Sequence, residues 1–332
     1  MLRFAVKRVL WMIPILFGIL LIVFTISYFT PGDPVLNMLG SGYTQEKYDA
    51  MREDLGLDKP FLVRYGLYVK DIVTEFNFGT SYTTGFPVGE EMLGRMGVTL
   101  KMGVFSIIAA LAVGIFLGII SAIRQRGLLD NSITSVSMLL AAMPNFWLGL
   151  MLMLLFSLKL GWLPATGITS WKHWILPTMT QCIGSIALLT RMTRSSVLEV
   201  IRQDYIRTAR AKGIDERAVV VRHVLKNSLI PIVTIVGMQI GMIMGGSIIA
   251  ESIFTIPGLG SYMMRGITSR DYPVINGCVL LMSTCICVMN LITDLAYGVV
   301  DPRIKAQYTT ASNRRKLKKT LEKAEKREVA AV

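Results

Sequence analysis

Apolar residues gather into long runs along this chain, separated by shorter polar stretches. Six runs approach the roughly 20 helical residues needed to cross about 30 Å of hydrocarbon. They cover 9–29, 98–123, 133–158, 174–192, 229–250 and 274–300. The pattern predicts an all-α, polytopic membrane protein with six transmembrane helices and a small external cap between the first and second. The run 174–192 is the weakest, because Thr178, Thr180, Gln181, Gly184 and Ser185 interrupt it. Polar groups at membrane depth seek protein partners or a watery cavity, so this helix is expected not to face lipid all round. Pro144 is expected to kink the third span. The first run follows Arg3, Lys7 and Arg8 as a signal peptide would, but its apolar core is longer and no small-x-small site precedes "TPGDP", which predicts a retained anchor.

Composition agrees. Of 332 residues, 52% are hydrophobic and 17% charged, and the mean hydropathy is +0.53, too apolar for an ordinary soluble domain. The four cysteines all lie in apolar stretches, where a thiol acts as a small hydrophobe, and Cys285 and Cys287 are spaced too closely to share a helix face.

Charge sets the direction of the spans. Three Lys or Arg precede the first, two separate the second from the third, and ten follow residue 300, against two in each short external loop. Both termini are therefore expected in the cytoplasm. The segment 31–95 is external and holds ten acidic against six basic residues. Within it, "LGLDKPFLVRYGLYVKDIV" has the apolar spacing of a helix beginning near Pro60.

A basic insert separates the fourth and fifth spans on the cytoplasmic side. It reads as a helix over 195–212 that stops at Gly213, followed by a second over 216–227 capped by Asp215. Ser228 and Pro231 are expected to begin the fifth span. Three uses are open to such an insert: neutralising anionic headgroups, reading DNA as a helix-turn-helix, or docking a protein. Tethering at both ends makes entry into a DNA groove awkward. The small residues Ala209, Ala211 and Gly213 let another backbone approach closely.

The insert resembles the cytoplasmic signature of ATP-binding-cassette (ABC) importer permeases. The usual pattern is Glu-Ala-Ala, three residues, Gly, then Leu-Pro about a dozen residues on. Gly213 and Ala209 match it, whereas Arg207 and Thr208 replace the Glu and first Ala, and Leu225-Lys226 replaces Leu-Pro. "DYIRTARAKG" followed by "RHVLKNSLIPIVT" is similar to the dipeptide, oligopeptide and nickel branch of that family. "TPGDPV" (30–35), "LGLDKP" (55–60), "RMTRSSVLEV" (191–200), "ESIFTIPGLG" (251–260), "RDYPV" (270–274) and "YGVVDPRI" (297–304) recur there in the same order. Within the branch, the likeness is to the first of the two membrane subunits of dipeptide carriers.

The resemblance implies the type I ABC importer permease fold and a bacterial cytoplasmic-membrane location. It divides the chain into an anchor helix (1–30), the external cap (31–95), a five-helix permease core (96–305) with a coupling loop (193–228), and a basic tail (306–332). It implies a second homologous permease subunit, two ABC ATPase subunits and an extracytoplasmic substrate-binding protein as partners, beside membrane lipid and without nucleic acid. ATP and Mg would sit on the ATPase subunits; this chain, which has no GxxxxGK[ST] motif, would bind no cofactor and be no enzyme. Arg207, Thr208, Ala209, Arg210, Lys212, Gly213, Ile214 and Arg217 are the coupling candidates, with Ala209, Gly213 and Ile214 entering the ATPase groove and the basic residues meeting acidic ones around it. Glu251, Pro257, Gly258 and Gly260 would form an external gate touching the binding protein, or else an inert turn.

Polar residues near the middle of spans are candidates for the translocation pathway: Asn145, Trp147, Gln181, Gln239 and Asn290. Interhelical hydrogen bonding would explain them equally well. Asp294, nearer the cytoplasmic end, is placed to pair with Arg191. A self-sufficient secondary transporter would need an ion-coupling carboxylate at membrane depth, and an intramembrane enzyme a nucleophile with His there; Asp294, Glu251, His173 and His223 all lie near or beyond the span ends.

Overall fold

The structure, a computed structural model, describes residues 2–40 and 42–300. Among these the secondary structure is helical, and the only β-pairing is an isolated bridge between Thr80 and Pro87. The basic tail at 306–332 lies outside the described residues.

The first apolar run forms α1 (Leu2–Phe29). Three short helices follow in the segment between the first and second runs: α2 (Pro34–Leu39), α3 (Gln45–Asp54) and α4 (Phe61–Glu75). Pro60 immediately precedes α4, where its fixed φ and missing N–H do no harm. The face of α4 carrying Phe61, Tyr65 and Tyr68 packs its rings on Phe24 of α1, and Arg64 lies over the Tyr28 ring at 5.4 Å. The second run lies in α5 (Val88–Ile123), which starts ten residues before the apolar stretch does because Glu90 and Glu91 suit the positive end of a helix.

The third run does not make one continuous helix, and its bend at Pro144 is far larger than a kink. It breaks into α6 (Leu128–Ala142) and α7 (Asn145–Leu152), the latter continued by a π-helical stretch (Met153–Lys159), and the two halves are bent by 106°. The physical cause is local. Proline disfavours helical backbone in the residue before it, and Met143 is accordingly extended at ψ 132°, as is Pro144 at ψ 135°. Two consecutive extended residues turn the chain, where a proline inside a continuous helix would only kink it.

Helix α8 (Ile175–Ile201) holds the weakest run and sits centrally. It buries Thr180, Gln181, Ser185, Thr190, Thr193 and Ser196 against its neighbours, which accounts for the polar character. Its tightest packing is with α5. A Cβ on Gly114 would stand 2.7 Å from the Leu189 side chain, and one on Gly118 would stand 2.5 Å from that of Thr193. Small residues let the two backbones approach this closely.

After α8 the insert forms α9 (Asp204–Ala211), a turn, α10 (Glu216–Ala218) and a π-helical stretch (Val219–Leu225). The last runs directly into α11 (Lys226–Ile253), so Ser228 and Pro231 lie inside a continuing helix and do not begin a new one. The first insert helix is correspondingly shorter than expected, since 195–201 completes α8. A further helix, α12 (Leu259–Ser269), leads to α13 (Tyr272–Val300).

Three described helices are long and apolar enough to cross a membrane: Ala5–Phe29, Val88–Ile123 and Tyr272–Leu295. Helices α8 and α11 have 27 and 28 residues, about 40 Å each at roughly 1.5 Å per residue, so length alone suits them to crossing as well. The N-terminal part of α1 and the C-terminal part of α13 are joined by Arg8 and Asp294, 3.0 Å apart. Asp294 therefore pairs with Arg8 and not with Arg191, which lies exposed on α8.

Candidate functional site

The insert folds around its own small core. Ile206 and Ala209, one turn apart on α9, pack with Val219 and Val224 of the following segment and with Ala122 of α5 and Val197 of α8. This corrects one expectation. Ala209 is buried within the chain and cannot enter a partner's groove; it is small because it is sandwiched between α9 and the membrane helices.

Helix α9 ends as its sequence dictates. Gly213 has φ +74°, its N–H donates to Arg210 O at 2.9 Å, and the Ile214 N–H donates to Ala209 O at 3.4 Å, the paired bonds of a helix closed by a left-handed glycine. Asp215 then caps the next helix, accepting from the Arg217 N–H at 3.1 Å. Arg207, Thr208, Lys212, Gly213, Ile214 and Arg217 are all exposed around this turn, beside Tyr205, whose exposed ring the residue pattern did not single out.

Arg210 is also exposed, yet its guanidinium makes two bonds to Glu216, at 3.0 and 2.6 Å. Its acidic partner is thus inside the chain, bracing the turn. The guanidinium holds the Glu216 carboxyl below its ordinary range.

The pathway candidates divide. Gln181 accepts from Ser106 Oγ at 3.1 Å in the α5–α8 interface, and Gln239 is buried as well. Gln181 thus joins α5 to α8, and neither glutamine is exposed on an open path. Asn145 and Trp147 are exposed at the start of α7, with Asn145 Oδ1 facing Gly184 of α8. Asn290 is exposed too, and its side chain lies against Gly241 of α11.

At the C-terminal end of α11, Glu251 is fully buried, whereas Pro257, just beyond it, is exposed. The Glu251 carboxylate accepts from Thr99 Oγ1 at 2.7 Å and from the Ser261 N–H at 2.9 Å. Thr99 Oγ1 in turn accepts from the Leu259 N–H at 2.8 Å. Together they satisfy amides of the first turn of α12, which has no capping side chain of its own at Gly258. A Cβ on Gly258 would fall on the Glu251 carboxylate, and one on Gly260 would stand 2.7 Å from the Ile248 backbone. The glycines of "IPGLG" are thus required by close approach. Glu251 cannot touch an external partner directly; what it does is hold α12, whose outer face exposes Met264, Arg265 and Ile267.

Other motifs meet at the same end. A Cβ on Gly32 of "TPGDPV" would collide with the Arg270 guanidinium of "RDYPV". Asp271, buried, accepts from Ser81 Oγ at 2.6 Å and from the Thr83 N–H at 3.1 Å, tying the cap to the α12–α13 turn. Sequence reasoning recognised both strings but assigned them no contact, because their partners are distant in the chain.

At the other end of the bundle it gave no role to Asp130 or to Arg194, although the latter lies within "RMTRSSVLEV". Asp130 is 2% exposed and accepts from Arg194 Nε at 2.7 Å and Nη2 at 2.8 Å. The one available signal was an aspartate in the first turn of an apolar helix, which ordinary capping explains as well.

Comparison with known proteins is consistent along almost the whole chain. A family model described as the binding-protein-dependent transport system inner membrane component matches residues 114–306, and the corresponding N-terminal model matches 1–103. The dipeptide transport system permease protein DppB of Alkalihalophilus pseudofirmus is 39% identical, over 92% of this chain and 100% of that protein. DppB of Escherichia coli K12 is 37% identical over 92% of this chain and 99% of its own length, and the glutathione transport system permease protein GsiC of Salmonella paratyphi A is 38% identical over the same shares. Among solved structures, an inward-facing MetNI methionine ABC transporter chain superposes with a TM-score of 0.55 at 17% identity, covering 63% of this chain and 96% of that one.

Proposed function

The chain belongs to the family of binding-protein-dependent transport system inner membrane components, and from that premise we propose that it is the multi-pass permease subunit of an ABC importer for dipeptides, working with separate ATPase subunits. The observation that carries the coupling role is the insert between α8 and α11: a compact, exposed turn with a basic rim, built on a core shared with α5 and α8. Such an element presents a rigid shape to a protein partner, which a loop serving only to neutralise lipid charge would not require.

In this reading one of the two ATPase subunits, which hold ATP and Mg, grips the turn at Gly213, Ile214 and Tyr205, while Arg207, Lys212 and Arg217 meet acidic residues around its groove. Their closure displaces the turn. Because the chain is helical without a break from Glu216 to Ile253, that displacement travels along one rod to Glu251 and so to α12. From Lys226 to Glu251 the rod rises about 38 Å at roughly 1.5 Å per residue. Helix α12 and Pro257 then present the outer surface to a substrate-binding protein, and a second homologous permease supplies the other half of the pathway, with Asn145, Trp147 and Asn290 on the side of this one.

Similarity to the glutathione permease is nearly as great as to the dipeptide permeases, so the tripeptide glutathione is the second cargo. The test is purification in mild detergent from the native membrane, with co-purifying subunits identified by mass and the accompanying binding protein titrated with dipeptides, glutathione, longer peptides and nickel. Recovery of two ATPases and a second permease, with dipeptide binding, is the expected result. A chain that purifies alone and moves solute without ATP overturns it.

A further inference from the structure

The pair formed by Asp130 and Arg194 lies outside every role assigned above. Asp130 stands in the first turn of α6, and its two oxygens gather groups from four places. Arg194 of α8 binds both through the guanidinium fork, the Arg126 N–H of the α5–α6 turn donates at 2.8 Å, and Ser121 Oγ in the last turns of α5 donates as well. Thr134, one turn along α6, approaches at 3.5 Å. The turn is shaped for this, since Arg126 adopts φ +63°, a left-handed backbone unusual for a residue with a side chain.

Position gives the pair its meaning. Ala122, next to Ser121, and Val197, three residues after Arg194, are both members of the core on which Ile206 and Ala209 of the coupling insert rest. The core that carries the insert thus starts one residue on from the clamp on α5 and about one turn on from it along α8. Ser196 of the same turn donates to Ser228 O at 2.9 Å, fastening α8 to the base of α11. In the other direction α6 runs to the bend at Met143 and Pro144, and across it α7 opens with Asn145 and Trp147. Without the clamp, α6 would meet the insert's platform only through ordinary side-chain packing.

We infer that Asp130 and Arg194 are a positioning pair that makes α6, and with it the α7 end of the pathway, move as one body with the platform of the coupling insert. The inference rests on the coupling reading of that insert. Removing either member leaves the other charge buried or half-buried without its partner, a severe local loss.

The test uses the whole importer in proteoliposomes and reads solute uptake and binding-protein-stimulated ATP hydrolysis together. Asp130→Asn and Arg194→Gln should lower uptake per ATP at least fivefold, with Arg194→Lys, which keeps the charge and loses the fork, falling between them and the wild type. A residue that merely stabilises the fold would reduce both rates in proportion and leave their ratio unchanged. Gly213→Val in the same assay separates the two readings. A lowered ratio for Gly213→Val beside a wild-type ratio for Asp130→Asn overturns the clamp alone, whereas a wild-type ratio for Gly213→Val sinks the coupling reading and the clamp with it. Should Asp130→Asn fail to assemble, Arg194→Lys decides: a wild-type ratio there reduces the pair to a structural pin.

Discussion

At the scale of the residue, buried carboxylates organise both ends of this permease. Replacing Glu251 with Ala removes the acceptor for the first-turn amides of α12 and should cost on the order of 1–3 kcal/mol locally. Hydrogen exchange should then quicken at least tenfold at Leu259, Gly260 and Ser261 while the amides of α5 keep their protection; unchanged exchange at those three would show that other groups cap α12. The exposed pair Arg210 and Glu216 behaves differently. Arg210 holds the Glu216 carboxyl below its ordinary value, so the stabilisation is complete above that value and is lost as pH falls through the lowered one. Between pH 6 and 8 the turn should therefore be indifferent to pH, and Arg210→Ala should change its opening free energy by less than about 1 kcal/mol. Exchange at the amides of 210–217, measured across that range, checks both statements.

At the scale of the element, helix contacts depend on which residues are missing a side chain. Gly118→Val would drive a branched side chain into Thr193 and the Thr190 carbonyl, and overpacking of this kind costs about 1–3 kcal/mol or more. A lower thermal midpoint for the detergent-solubilised complex is expected, with Gly245→Ala, where nothing stands within 4 Å, as the neutral control. The apolar runs disclosed where most long helices lie, because burial in lipid or protein leaves a signature in each stretch taken alone. The glycine that closes α9 was legible for another reason, since a left-handed position selects its own residue type. The bend at Pro144 was legible as a break but not in its size, which depends on Met143 being extended too. The break between α8 and α9 was invisible, since the polarity of 195–203 suits either a continuing helix or a turn. Glu251 could be recognised but not located, because its partners Thr99 and Ser261 lie on other helices.

At the scale of the whole molecule, basic residues flanking the spans set an orientation that is open to direct measurement. In right-side-out membrane vesicles, a cysteine introduced at Thr44 should react with a membrane-impermeant maleimide at once, and one at Lys212 only after the vesicles are opened. The reverse pattern would invert the topology and remove the coupling insert from reach of any cytoplasmic ATPase. The compositional asymmetry behind this expectation belongs to the entire chain, which is why it could be read without any tertiary contact.

The elbow between α6 and α7 has a consequence for how the protein must be made. Ala141, Ala142, Pro144, Asn145 and Phe146 are all exposed there, and the α6 ladder ends in a long bond from Met143 N–H to Leu140 O at 3.4 Å before the next turn opens with Leu148 N–H to Pro144 O at 3.0 Å. Hydrocarbon offers no donor to the carbonyls left over, so backbone of this kind persists at membrane depth only against water or another protein. A newly inserted copy without its companion subunits would thus display polar backbone to lipid, a mark by which membrane proteases recognise an orphan. Cells should hold this chain only in step with the subunits that cover the elbow, and its lifetime should shorten when it is expressed alone.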